Sequence, residues 1–200
     1  HENVCDSNVD NMCKYLPIGF DCDEHGHVVK VRETMYMYSD ESFYGFGEKF
    51  TGFNKRGQII HCRQSDALST NTERSYQNIP YFVSSRGDSI LLNTYTDNVF
   101  DMGEARSDAL SSVKEGADKM LDYGMFCNRD SKGLLEDYTA LTGRSPMIPK
   151  WAFGLWMSKC SYRTQEEVEI VARTLREKNI PADVIHIDGW QKMSNSGVWE

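Results

Sequence analysis

Ala152-Phe153-Gly154-Leu155-Trp156-Met157 and Asp183-Val184-Ile185-His186-Ile187-Asp188 are two near-continuous apolar runs, and what joins them decides the fold. Between them, Thr164-Gln165-Glu166-Glu167 has the spacing of a capping box. In that motif a Thr hydroxyl and a Glu carboxylate reciprocally satisfy orphan amides at a helix start. Val168, Val171, Ala172 and Leu175 then fall on one helical face. Asn179 and Pro181 end the helix. Buried strand, capped helix and buried strand make a βαβ unit, which implies parallel pairing and a right-handed crossover.

Upstream, Ser145-Pro146-Met147-Ile148-Pro149 is a stiff connector, because each proline fixes its own φ and restrains the residue before it. Leu134, Leu135, Tyr138 and Leu141 have helical spacing across 131–143, with Gly143 as the C-terminal stop. Before residue 130 the pattern is β-rich. Short apolar or alternating runs lie at His27–Val31, Thr34–Tyr38, Phe43–Phe46, Gln58–Cys62, Tyr81–Ser84, Ser89–Tyr95, Asn98–Met102 and Met120–Cys127. Turn signals such as His25-Gly26, Arg56-Gly57 and Arg86-Gly87-Asp88 separate them. This spacing predicts an antiparallel β-sandwich. The expected organisation is therefore a β-sandwich over 1–130, incomplete at its start, a linker helix and connector over 131–149, and the opening of an α/β domain over 150–200.

Composition sets the outer limits. The 200 residues are 40% hydrophobic and 12% aromatic, which suits a globular protein and argues against disorder. Lys plus Arg number 22 against 30 Asp plus Glu, a net charge of -8, with no basic stripe for nucleic acid. No apolar run approaches the roughly 18 residues that would span a bilayer. A closed parallel barrel needs about 250 residues, more than the whole chain holds. The six cysteines are scattered, and neither Cys22 with His25 and His27 nor Cys62 with His61 has a second half-site to complete a zinc centre. No metal or cofactor is expected. Isolated thiols suit a reducing compartment, so the expected location is the cytoplasm.

Chemistry in parallel sheets gathers at the carboxyl ends of strands. Asp188, Gly189 and Trp190 follow the second strand, and Ser158, Lys159 and Cys160 follow the first. A carboxylate closing an apolar strand is costly without a partner, so Asp188 is either a ligand anchor or a loop cap. Trp190 either stacks on a ligand or fills the barrel mouth. His186 shares a strand face with Asp188, with a buried histidine bonded to a neighbour as the plainer reading. Gly45 and Gly47 lie between strands rather than at a helix start, which disfavours dinucleotide binding. There is no G-x-S-x-G elbow.

These segments also resemble a known family. Phe43-Tyr-Gly-Phe-Gly-Glu-Lys-Phe50, Tyr76-Gln-Asn-Ile-Pro-Tyr-Phe82, Ser85-Arg86-Gly87, Leu141-Thr-Gly-Arg-Ser-Pro146, Pro149-Lys-Trp-Ala-Phe-Gly-Leu-Trp156 and Val184-Ile-His-Ile-Asp188 resemble, in order, motifs of glycoside hydrolase family 31. The pattern is most similar to its bacterial α-xylosidases and their α-glucosidase relatives. The resemblance implies a galactose-mutarotase-like β-sandwich followed by the first βαβ of a (β/α)8 TIM barrel. It implies a retaining, exo-acting α-glycoside hydrolase with an aspartate nucleophile and an aspartate acid/base. The nucleophile segment of that subgroup is absent from the 200 residues, so the chain is expected to be an N-terminal portion without its catalytic carboxylates.

What the resemblance carries onto this chain is sugar binding. Asp188 matches the aspartate that binds hydroxyls of the non-reducing sugar, Phe153 the aromatic bordering that subsite, and Trp190 an aromatic two positions after the aspartate. Gly189 departs from the cysteine or threonine common there. Asp66 lies in a sandwich loop from which the family sends an aspartate to the active site, with a polar turn residue as the plain alternative. The expected partner is an oligosaccharide or small α-glycoside, without nucleic acid or membrane, and a homo-oligomer is compatible with the sequence. The competing hypothesis is a non-catalytic β-sandwich that binds carbohydrate or another subunit.

Overall fold

The computed structural model describes residues 17–65, 72–115, 120–159 and 161–187. The chain forms two compact units, His1–Gly143 and Arg144–Glu200.

The first unit holds β1 (Ile18–Cys22), β2 (Val28–Tyr36), β3 (Phe43–Gly47), β4 (Ile59–Cys62), β5 (Asn78–Ser84), β6 (Asp88–Leu92), β7 (Asn98–Asp101), β8 (Ala109–Glu115) and β9 (Tyr123–Cys127). One sheet has the order β1-β2-β8-β7-β4 and the other β3-β5-β6-β9. Every pairing within the two is antiparallel. Phe43, Phe46, Phe82, Ile90 and Leu92 on one sheet meet Ile60, Cys62, Phe100 and Leu110 on the other in a single buried core. The expected β-sandwich is present.

Several strands differ from the sequence expectation. His27–Val31 and Thr34–Tyr38 are one strand, β2, because Arg32 in its middle is neutralised by Asp21 on β1 at 2.8 Å. Two strands, β1 and β8, were not expected. Each is a short, partly polar run, and β8 buries Leu110 and Ser112 while Ser111 between them is only partly buried. The strand expected over Ser89–Tyr95 stops at Leu92, where Thr94 and Thr96 bond each other in a turn.

The segment Tyr44-Gly45-Phe46-Gly47 is a bulge. The register of β3 against β5 shifts between Gly45 and Gly47, and Phe46 takes φ 70°. That conformation drops the Phe46 ring, fully buried, onto Phe82 and Phe100 at centroid distances of 5.4 and 5.0 Å. A Cβ on Gly47 would strike the Gln77 carbonyl, so only glycine fits that approach. Helix α1 (Ser131–Thr142) docks on the same unit: Leu134 is fully buried and Tyr138 stacks on Tyr81 at 4.1 Å. Leu135 and Leu141 face outward.

The second unit holds a 3-10 turn (Lys150–Phe153), β10 (Trp156–Lys159), α2 (Gln165–Glu177) and β11 (Val184–Ile187). Strands β10 and β11 pair in parallel, Trp156 opposite Val184 and Lys159 opposite Ile187. The strand-helix-strand order and the parallel pairing are as expected, but the first strand is shifted and neither strand is buried: Trp156, Ser158 and Lys159 of β10 and His186 and Ile187 of β11 are exposed. Ala152 and Phe153 belong to the turn that Pro149 opens, and the Trp156 indole N–H donates to the Ala152 carbonyl at 3.0 Å to hold it. The capping of α2 also differs in detail. Thr164 Oγ1 accepts the Glu167 amide as expected, at 3.2 Å, but the Glu167 carboxylate accepts the Arg163 amide, one residue before the cap. At the other end Asn179, φ 54°, closes a Schellman motif: its amide reaches Arg176 O, and that of Ile180 reaches Leu175 O.

Candidate functional site

In the sandwich unit, the ends of β4 and β7 and the two ends of loop 65–75 enclose a groove of about 700 Å³. His61, Arg63, Gln64, Ser65, Glu73 and Asp97 contribute to its lining. The pleat explains the placement: along β4, Ile60 and Cys62 point into the core, so His61 and Ile59 point out. Arg63 pairs with Asp97 at 3.4 Å and His61 with Glu73 at 3.9 Å. The groove therefore offers donors and acceptors in balance rather than one sign of charge. Such a lining suits neutral, hydroxyl-rich ligands better than phosphates, which call for clustered cations.

The backbone of His61 is also held by the lysine of the Gly47-Glu48-Lys49 segment. Lys49 Nζ donates to the His61 carbonyl at 2.5 Å, and burial pushes its ammonium below the usual lysine range. Burial pushes the neighbouring Cys62 thiol the other way, up to about 12, against the opposing pull of Lys49. Cys62 is thus a protonated core group and not a nucleophile. Among the described residues no three His, Cys, Asp or Glu side chains converge on a common metal position.

The neck of loop 65–75 is closed by Asn78, the Asn of the Tyr-Gln-Asn-Ile-Pro segment. Its Nδ2 donates to the carbonyls of Arg63 at 2.9 Å and Ser75 at 3.0 Å, and its Oδ1 accepts from Ser75 Oγ at 3.1 Å. Sequence reasoning treated this residue only as part of a motif. The available signal was a carboxamide beginning an apolar strand, where burial demands partners.

In the second unit, Phe153 sits at the end of the 3-10 turn and is 73% exposed, rather than within a buried strand. On the parallel pair, Ser158 Oγ lies 3.3 Å from His186 Nδ1, and the ring of Trp156, which begins β10, meets His186 edge-on at 6.4 Å. His186 is bonded to a neighbour as expected, but it is exposed and not buried. Asp188, which directly follows β11, lies outside the described residues, as do Trp190 and Asp66. At Gly154 a Cβ would meet the exposed Asp183 side chain, which would have to turn away.

Comparison with known proteins agrees along the chain. Residues 11–101 match the Glycosyl hydrolase 31 N-terminal galactose mutarotase-like domain, and residues 145–200 match the Glycosyl hydrolases family 31 TIM-barrel domain. Alpha-glucosidase 2 of Bacillus thermoamyloliquefaciens is 42% identical over 160 residues, covering 76% of this chain and 20% of that protein. Alpha-xylosidase XylQ of Lactiplantibacillus pentosus is 36% identical over 166 residues, covering 81% and 21%. The cycloalternan-forming enzyme from Listeria monocytogenes, solved with a pentasaccharide substrate, matches with a TM-score of 0.81 at 29% identity, over 92% of this chain and 18% of that one. The chain spans about a fifth of the length of the curated relatives it matches. No helix among the described residues is long and apolar enough to cross a membrane. With a mutarotase-like sandwich and a TIM-barrel opening matched in that order, the chain belongs to glycoside hydrolase family 31.

Proposed function

We propose that the protein is a retaining, exo-acting α-glycoside hydrolase that releases a non-reducing terminal xylose or glucose, and that this chain supplies part of its sugar-binding surface. The observation that carries the proposal is the parallel β10–β11 pair, with Asp188 immediately after β11, in a segment matched to the family's TIM-barrel domain. A carboxylate at that edge can accept two sugar hydroxyls at once and penalise analogues lacking either. Phe153, exposed on its turn, and Trp190 supply apolar faces for the ring, and Asp66 is a further candidate sugar-binding carboxylate on the sandwich unit. The functional division follows: sandwich over 1–130, connector over 131–149 and barrel opening over 150–200. The nucleophile and the acid/base are assigned to no residue of these 200. Relatives that carry both names, alpha-glucosidase and alpha-xylosidase, support the α-glycoside class without choosing the sugar.

The test is hydrolysis of aryl α-xyloside and aryl α-glucoside by the protein at its full encoded length, with the anomer of the first-released sugar followed by NMR. Release of the α-anomer is expected. Release of the β-anomer, or no hydrolysis of either, refutes the proposal.

A further inference from the structure

We propose that His186 is a positioning residue of the sugar site: Ser158 and Trp156 hold its ring, and its Nε2 donates to the Asp188 carboxylate. The inference rests on the α-glycoside reading above. Strands β10 and β11 each turn one face toward α2. Lys159 reaches Glu167 of the helix at 3.5 Å, and Ile185 lines a small cleft with Ala172 and Leu175. Side chains alternate along a strand, so Trp156, Ser158, Val184 and His186 take the opposite face. In a parallel α/β barrel that helix-free face is the interior, filled by layers of side chains beneath a site at the carboxyl ends of the strands. His186 is the last residue of β11 on it.

The ring is held from two sides. Ser158 stands opposite His186 in the parallel register, with its Oγ 3.3 Å from Nδ1. Trp156 meets the ring edge-on at 6.4 Å, and the indole is itself fixed by its N–H donating to the Ala152 carbonyl. With the Ser158 hydroxyl donating to Nδ1, the neutral imidazole carries its proton on Nε2. Among the described residues Nε2 meets no acceptor, and the first side-chain acceptor after β11 in sequence is the Asp188 carboxylate. In extended backbone, residues two apart share a face at a spacing of about 6.6 Å, which an imidazole, one hydrogen bond and a carboxylate span. An N–H on one carboxylate oxygen fixes its orientation and leaves the remaining lone pairs for sugar hydroxyls.

The experiment is a double-mutant cycle on kcat/KM for an aryl α-glycoside, in the protein at its full encoded length: His186→Leu, Asp188→Ala and the two combined. His186→Leu should lower kcat/KM about tenfold or more, and less than about threefold when Asp188→Ala is already present. His186→Gln keeps an N–H near the place of Nε2 and should stay within about threefold of the unsubstituted protein. If His186→Leu does not fold, Ser158→Ala takes its place in the cycle, with a loss of about threefold that vanishes beside Asp188→Ala. A loss equal on both backgrounds, no loss at all, or no rescue by glutamine overturns this inference alone. Asp188→Ala without effect, or an unsubstituted protein with no α-glycosidase activity, overturns the functional reading and this inference with it.

Discussion

Phe46 stacks on Phe82 with ring centroids 5.4 Å apart, although Phe46 itself has the positive φ of 70° that a bulky side chain avoids. The strain is held by the two flanking glycines and offset by complete burial of the ring between the sheets. Phe46→Ala should destabilise the sandwich by about 3–5 kcal/mol, the usual cost of emptying a packed aromatic site. Urea unfolding of the chain followed by fluorescence checks it. A cost below about 1 kcal/mol would mean that the bulge is not part of the core.

Cys62 should be inert to thiol reagents in the folded protein. Its pKa, about 12, exceeds the unfolded thiol value, so the folded state holds its proton where the unfolded state releases it. The contribution to stability is fully present below about pH 9, the unfolded value, and is lost as pH rises from there through about 12. Alkylation at pH 8 with and without denaturant, read by mass spectrometry at Cys62, should show modification only after unfolding. Rapid labelling of the native protein would contradict its burial.

Helix α2 should respond differently at its two ends. Thr164→Ala removes the acceptor of the Glu167 amide and should cost about 1 kcal/mol. Asn179→Gly keeps the left-handed conformation without a Cβ and should be neutral or slightly stabilising, whereas Asn179→Val should cost about 1 kcal/mol or more. Circular dichroism melts of the three variants distinguish them. Equal losses at Asn179→Gly and Asn179→Val would refute the Schellman assignment.

Local chemistry makes the βαβ unit legible in the sequence. Thr164, Asn179 and the two apolar runs each announce their element through bonds made within a few residues. What was not legible depends on partners distant in sequence. Arg32 reads as a break in β2 until Asp21 from the neighbouring strand neutralises it. Ala109–Glu115 carries little apolar signal and is a strand because β2 and β7 flank it. Phe153 was expected in a strand because its run is apolar, but Pro149 and the Trp156 indole impose a turn. Asp188 and Trp190 were nominated by their place after an apolar strand and again by resemblance, and Asp66 by resemblance alone, whereas the role of Asn78 emerges only from hydrogen bonds to Arg63, distant in sequence, and Ser75.

The proposed sugar site lies at the end of β11, which Asp188 directly follows. Its most direct test is kcat/KM for the preferred aryl α-glycoside, measured for the protein at its full encoded length with Asp188→Asn beside the unsubstituted form. A loss of at least about a hundredfold is expected in a protein that remains folded. An unchanged kcat/KM would remove Asp188 from the site and refute a sugar site at the end of β11.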